Sequence, residues 1–258
     1  MHLFLSPHFD DAVLSCGSLI RQLVENNEAV AVRTVMGRKI GSMSIPTTPI
    51  IERLHARWGI AADARIEEDE QAVKSLGADP QRMTVWPDCI YRTSRQGAPL
   101  YPTEESLFGE IHPEDEAARL IPTIVLPAQE VIHVLYAPLG VGQHVDHLIV
   151  RDWALELKKQ NPALAVKFYE EYPYSETGSA VDRALEYYKE REIRLEMETV
   201  TLNEAQVEAK IQAIAHYRSQ ISTFWENDEA MRQAVRQFLL RAGGTTPVER
   251  CWRAAAGR

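Results

Sequence analysis

A chain of 258 residues, 45% apolar and 25% charged, can bury the core of one large α/β domain and is too apolar to be disordered. Its formal net charge of −9 argues against nonspecific attachment to nucleic acid or to an anionic membrane, since phosphates are repelled overall. The three cysteines, Cys16, Cys89 and Cys251, are odd in number, scattered and without a CxxC, which argues against a disulfide framework or a cysteine-based zinc site and fits a reducing cytoplasm.

The N-terminus turns acidic at Asp10 and Asp11 and lacks the basic start and long apolar stretch of a signal peptide. No apolar run is long enough to span a bilayer, so the expectation is a soluble cytoplasmic protein. Leu3 to Ser6 is a short apolar run closed by Pro7 and reads as a buried strand. Val13, Leu14, Leu19, Ile20 and Leu23 then recur mostly at helical spacing, with Asp10 or Asp11 as N-cap and Asn26-Asn27 as the stop. Ala29 to Met36 reads as a second strand, so the chain opens as a right-handed βαβ unit.

Gly37 to about Ile60 reads as a long irregular loop, of a length that is often functional. Glu67 to Leu76 is a helix ended by Gly77, and Met83 to Trp86 a short strand. Glu130 to Tyr136 is a strongly apolar strand, Asp146 to Lys159 a helix, Val166 to Tyr169 a strand, and Leu195 to Leu202 another. Asn203 to Leu240 is mostly helical. The alternation predicts an α/β fold, a Rossmann-like three-layer sandwich with a mainly parallel sheet, as one domain over residues 1–258 with a helical C-terminal region from about 203.

Two segments gather carboxylates and imidazoles in apolar surroundings. Ser6-Pro7-His8-Phe9-Asp10-Asp11 lies between the first strand and first helix, and Gly142-Gln143-His144-Val145-Asp146-His147 follows the strand ending near Tyr136. Both fall at carboxyl ends of strands, where open α/β sheets form ligand crevices. His8 and Asp11 are three residues apart and can converge on one point, and either His144 or His147 would complete a two-His, one-carboxylate set that leaves a position for water. A spare carboxylate nearby can serve as general base, and one beside a histidine can fix its tautomer. Taken singly the pieces have plainer uses: Asp10-Asp11 could only cap a helix, Cys16 could only pack, His133 could be a satisfied core histidine, and Lys210 one charge on a solvated helix face.

Pro7-His8-Phe9-Asp10-Asp11, followed by Leu14 and Gly17, resembles the PHxDD signature of the PIG-L (LmbE-like) deacetylases, and His144-Val145-Asp146-His147 resembles their HxDH signature. Weaker similarities extend over Arg65 with Glu68-Asp69, Pro87-Asp88 with Tyr91-Arg92, the run Tyr169 to Tyr174, and Lys210, Tyr217 and Ser219-Gln220. The resemblance implies that His8, Asp11 and His147 bind zinc, with iron(II) or another divalent metal as alternatives. It makes Asp10 the general base and His144, in protonated form, the group that stabilises the intermediate, with Asp146 orienting it. Arg65, Asp88 and Arg92 could contact substrate hydroxyls, with a loop salt bridge for Asp88 and Arg92 and a surface helix pair for Arg65 as the plainer uses. The implied activity is removal of an N-acetyl group from an N-acetylglucosamine-type conjugate or related small molecule. Competing readings are a metal-dependent phosphoesterase and a non-catalytic metal- or sugar-binding protein; homo-oligomerisation is left open. Phe9 departs from the usual proline and Cys16-Gly17 from a common Gly-Gly, while Gly142 stands where some members carry a tyrosine.

Overall fold

A computed structural model describes residues 1–41, 43–59, 61–127 and 130–255. Parts of the expected long loop (42 and 60) and the end of the expected C-terminal helical region (256–258) lie outside the described residues. In chain order the elements are β1 (His2–Ser6), α1 (Asp11–Glu25), β2 (Val30–Thr34), α2 (Pro49–Trp58), α3 (Arg65–Ser75), β3 (Asp79–Arg82), α4 (Glu116–Leu120), β4 (Val134–Pro138), α5 (Val145–Gln160), β5 (Ala165–Tyr169), α6 (Gly178–Glu190), β6 (Leu195–Thr201), α7 (Glu204–Ile214), α8 (Arg218–Phe224), α9 (Asp228–Gly243) and β7 (Val248–Ala254).

The seven strands form one sheet in the order β3-β2-β1-β4-β5-β7-β6. The first five run parallel, and β7 pairs antiparallel with both β5 and β6. Alternate side chains of the central strands feed two cores, the arrangement expected of a sheet covered on both faces. Phe4, Val32 and Tyr136 pack with α1, α3, α7 and α9 on one side, while Leu3, Leu5, Leu135 and Val166 pack with α5 and α6 on the other. Each fully buried aliphatic side chain contributes about 1.5–3 kcal/mol of transfer free energy. The result is the three-layer α/β sandwich expected from the sequence. Among the described residues no helix is long and apolar enough to cross a membrane.

Two helices, α4 and α6, fall where no element was expected, and four further elements differ from expectation. The long loop contains α2: the Thr48 side chain accepts the Ile51 N–H at 3.3 Å, Pro49 begins the helix, and Gly59 ends it at φ 65°. The third strand lies at Asp79–Arg82, ahead of Met83, because its polar residues take the parallel register of an edge strand against Ala31–Thr34. The fourth begins at Val134, where it pairs with His2, leaving His133 exposed beside the Met1 amine and outside the core. The C-terminal region ends in a strand, β7, threaded between β5 and β6.

The chain leaves β1 in one direction along the sheet, to β2 and β3, and β4 and β5 lie on its other side. This reversal splays the loops after β1 and β4 apart and opens a crevice at their carboxyl ends.

Candidate active site

The turn after β1 holds its residues by short-range bonds. The Ser6 hydroxyl accepts the Ala12 N–H at 3.0 Å and donates to the His8 carbonyl at 2.7 Å, so Ser6 does the capping expected of an aspartate. The His8 N–H donates to Asp11 Oδ2 at 2.7 Å. Asp10 makes no capping bond and sits at φ 109°, a conformation that costs an L-residue about 1–3 kcal/mol and persists only where its surroundings enforce it. Its carboxylate is thereby free to face the crevice.

After β4 the chain passes through Gly140 at φ 93°, Gly142 at φ 81° and Gln143 at φ 64° before α5 begins. The turn is pinned by Glu171, just beyond β5, whose carboxylate accepts the N–H groups of Leu139, Gly140 and Val141 at 3.2, 2.8 and 3.1 Å. His144 caps α5, its Nδ1 accepting the Asp146 N–H at 3.3 Å, which assigns the proton of the neutral ring to Nε2.

These two turns bring His8, His144 and His147 together, with ring nitrogens within 4.8 Å of one another. Asp11 bridges two of them: Oδ2 lies 3.2 Å from His8 Nδ1 and Oδ1 lies 3.3 Å from His147 Nε2. The far nitrogen of each ring meets a buried carboxylate, His8 Nε2 meeting Asp146 at 2.9 Å and His147 Nδ1 meeting Glu171 at 3.3 Å. A proton on each far nitrogen leaves a lone pair on the near one, aimed at the Asp11 carboxylate. Two imidazoles and one carboxylate so presented, each imidazole backed by an acceptor, fit a divalent ion with an open position. The mixed donors do not by themselves choose among zinc, iron(II) and their neighbours.

Asp146 departs from its expected role. Its carboxylate receives His8 Nε2, the Cys89 N–H at 2.9 Å and the Arg92 guanidinium, and the hydrogen bond to His144 comes from its backbone N–H. Burial alone would raise its pKa, but Arg92 and His8 outweigh burial and hold the carboxyl well below the usual carboxylate range. Arg92 is itself buried, lies 3.2 Å from Asp115 and does not reach the cleft, so the structure gives it Asp146, not substrate, as partner.

Arg65 and Asp88 do face the cleft. Arg65 lies over the Trp58 ring at 4.5 Å, donates to the Phe9 carbonyl at 3.2 Å and stands 3.6 Å from Asp10. The Gln220 amide, oriented to accept, takes Trp58 Nε1 and Arg65 Nε at 3.2 Å. Asp88 Oδ2 lies 3.8 Å from His8 Nε2. Burial and the Asp11 charge push the Asp10 pKa well above its ordinary value, opposed by Arg65. Burial, with the charges of His8 and His147, pushes the His144 pKa well below its ordinary value.

The cleft above these groups has a volume of about 310 Å³, walled by α2, by Phe108 and Tyr174, and by Phe224 of α8. Glu171, Cys89 and Asp115 went unrecognised as contributors in the sequence. Only the acidic pair Glu170-Glu171 inside an aromatic run at a strand end offered a signal for the first.

At the switch point of this mainly parallel sheet the turns after β1 and β4 thus gather three imidazoles and two aspartates, donors that could hold a divalent ion. Residues 3–158, more than half of the chain, match the PIG-L family, GlcNAc-PI de-N-acetylase, and the protein belongs to that family. It is 28% identical over 249 residues to the 2'-N-acetylparomamine deacetylase of Niallia circulans, covering 90% of this chain and 88% of that one. The zinc-inhibited form of the teicoplanin deacetylase Orf2 superposes with a TM-score of 0.80 at 24% identity over 99% of this chain and 98% of the other. The A40926 pseudoaglycone deacetylase Dbv21 superposes with a TM-score of 0.72 at 25% identity over 99% and 97%.

Proposed function

We propose that the protein hydrolyses the N-acetyl amide of an amino sugar carried in a larger small-molecule conjugate, releasing acetate and a free amine, with a divalent metal, zinc or another such as iron(II), held by His8, Asp11 and His147. The observation that carries this reading is Asp10, a buried carboxylate left uncapped in a strained conformation beside that ligand set. Support for an amino-sugar substrate comes from the relatives, one acting on an acetylated paromamine and others described as deacetylases of teicoplanin and of an A40926 pseudoaglycone.

The bound ion would supply Lewis acidity toward the amide carbonyl and the attacking water. Asp10 takes a proton from that water as the oxygen attacks the carbonyl carbon, and its raised affinity for protons suits it to hand the proton to the departing nitrogen. His144, a neutral donor with its Nδ1 engaged, offers Nε2–H to the oxygen that gains charge. Arg65 holds Asp10 against the cleft by charge and, with Asp88, offers hydrogen bonds to sugar hydroxyls. Arg92 and Asp146 fix His8, and Glu171 fixes His147.

A two-metal phosphoesterase would need further free carboxylates. Of the carboxylates around His8 and His147, Asp146 and Glu171 are committed to Arg92 and Cys89 and to three backbone amides, which leaves Asp88, 3.8 Å from His8, to serve a second ion alone. A simple metal-dependent binder has no use for the strain at Asp10. The test is a panel of N-acetylated amino sugars and conjugates, with metal-replete protein and released amine and acetate as readouts. Asp10→Asn is expected to keep the metal and lower kcat by at least about 100-fold, the usual contribution of a positioned base. Full turnover in that variant, or no acetate from any member of the panel, refutes the proposal.

A further inference from the structure

The reaction centre has two chemically unlike flanks. On the side of His8 the cleft is lined by Asp88, Arg65 and Asp10, charged groups suited to hydroxyls and to the sugar nitrogen. On the side that carries His144 and His147 the wall is aromatic. Phe108 stands edge-on to His144, with centroids 5.4 Å apart, and Tyr174 stands edge-on to His147 at 5.8 Å and to Phe108 at 6.2 Å. An amide carbon reacting between these flanks carries one polar substituent, the sugar nitrogen, and one apolar substituent, the acyl chain.

Tyr174 reaches this position because residue 142 has no side chain. A Cβ at Gly142 would lie 2.7 Å from both Cγ and Cδ1 of the Tyr174 ring, closer than real contacts allow, and the φ of 81° there already disfavours any L-residue. The wall is also tied by backbone: Phe108 bridges to His144, Gly109 N–H donates to the Gln143 carbonyl at 2.8 Å, and Ser175 N–H donates to the Glu171 carbonyl at 2.8 Å. The ring thus stands against His147 and Phe108, with the backbone on both sides of the corner tied to the turn that leads into α5.

We propose that the corner formed by Phe108 and Tyr174 is the acyl subsite, and that the Tyr174 ring, seated on Gly142, restricts the group removed to acetyl or a chain little longer. This rests on the deacetylase reading and adds to it the specificity of one end of the substrate. Apolar burial drives the methyl group toward the aromatic wall and leaves the hydroxyl-rich part to the polar flank.

The experiment compares kcat/KM for N-acetyl, N-butyryl and N-hexanoyl forms of one amino-sugar conjugate that the unaltered protein turns over, with inhibition by acetate and by hexanoate as a readout that needs no turnover of the longer amides. Tyr174→Ala is expected to raise the butyryl-to-acetyl ratio by about tenfold or more, since each methylene admitted or refused by an apolar pocket changes discrimination by ~10–200-fold. Hexanoate becomes the better inhibitor in the same variant. Tyr174→Phe keeps the ring and leaves the ratio where it was. Phe108→Ala, at a side chain already 36% exposed, moves the ratio in the same direction and serves if Tyr174→Ala does not fold. Acetate release by the unaltered protein with a ratio unmoved in the folded alanine variants overturns the acyl subsite alone. No amine released from any conjugate by the unaltered protein overturns the deacetylase reading and the subsite with it.

Discussion

Replacing Arg92 by methionine separates two roles for that residue. As a substrate contact, its loss would raise KM and leave stability alone. The structure instead places its guanidinium against Asp146, which is fully buried and also receives the Cys89 N–H and His8 Nε2. Removing the cation strands a buried carboxylate, which costs about 3–5 kcal/mol. At about 2–4 °C per kcal/mol for a chain of this size, the melting temperature of the metal-free protein falls by roughly 6–20 °C. Asp146 then also holds His8 less firmly, and loss of such a supporting contact weakens metal binding by about 10–100-fold. The assays are thermal unfolding of the metal-free protein and a chelator competition for the ion. A variant with the melting temperature and metal affinity of the unaltered protein and only a raised KM would refute the reasoning and return Arg92 to the substrate.

Lys210, expected on a solvated helix face, is fully buried, with Nζ 2.7 Å from Glu249 Oε1 and 3.2 Å from the Ser15 carbonyl. Lys210→Met therefore destabilises by about 3–5 kcal/mol in urea unfolding, whereas a solvated lysine would give at most ~0.5 kcal/mol. Asp69, buried beneath Thr34 and Tyr217, has its pKa raised to about 6 by burial, against the pull of those hydrogen bonds. A carboxyl raised on folding contributes stability below its unfolded pKa and loses it as pH rises through about 6. Asp69→Asn removes that dependence, so between pH 4 and pH 8 the variant gains about 2–3 kcal/mol relative to the unaltered protein. An unfolding free-energy difference flat across that range contradicts it.

The parts legible in the sequence were those that a local pattern encodes. The βαβ opening, α5 and both His/Asp turns could be read because apolar periodicity and short polar motifs repeat within a few residues. Helix α2 carried its signals, Thr48-Pro49 at one end and Gly59 at the other, but they are masked by the Ser/Thr/Pro-rich stretch before it. Strand β3 has no apolar pattern to find, because an edge strand of Asp-Pro-Gln-Arg is defined by its register against β2. The supporting carboxylates were hidden for a related reason. Glu171 meets His147 across 24 positions and Asp146 meets Arg92 across 54, and only the closed sheet brings such pairs together. The likeness of His144-Val145-Asp146-His147 to a known signature suggested an Asp146–His144 partnership, while the helix start turns the Asp146 carboxylate toward His8.

Metal content by elemental analysis tests the account most directly. Protein reconstituted with excess divalent ion and desalted is expected to retain about one ion per chain, with His8→Ala, Asp11→Ala and His147→Ala each releasing it and Asp10→Asn retaining it. Two ions per chain, or full retention after loss of His147, would contradict a single ion held by those three side chains.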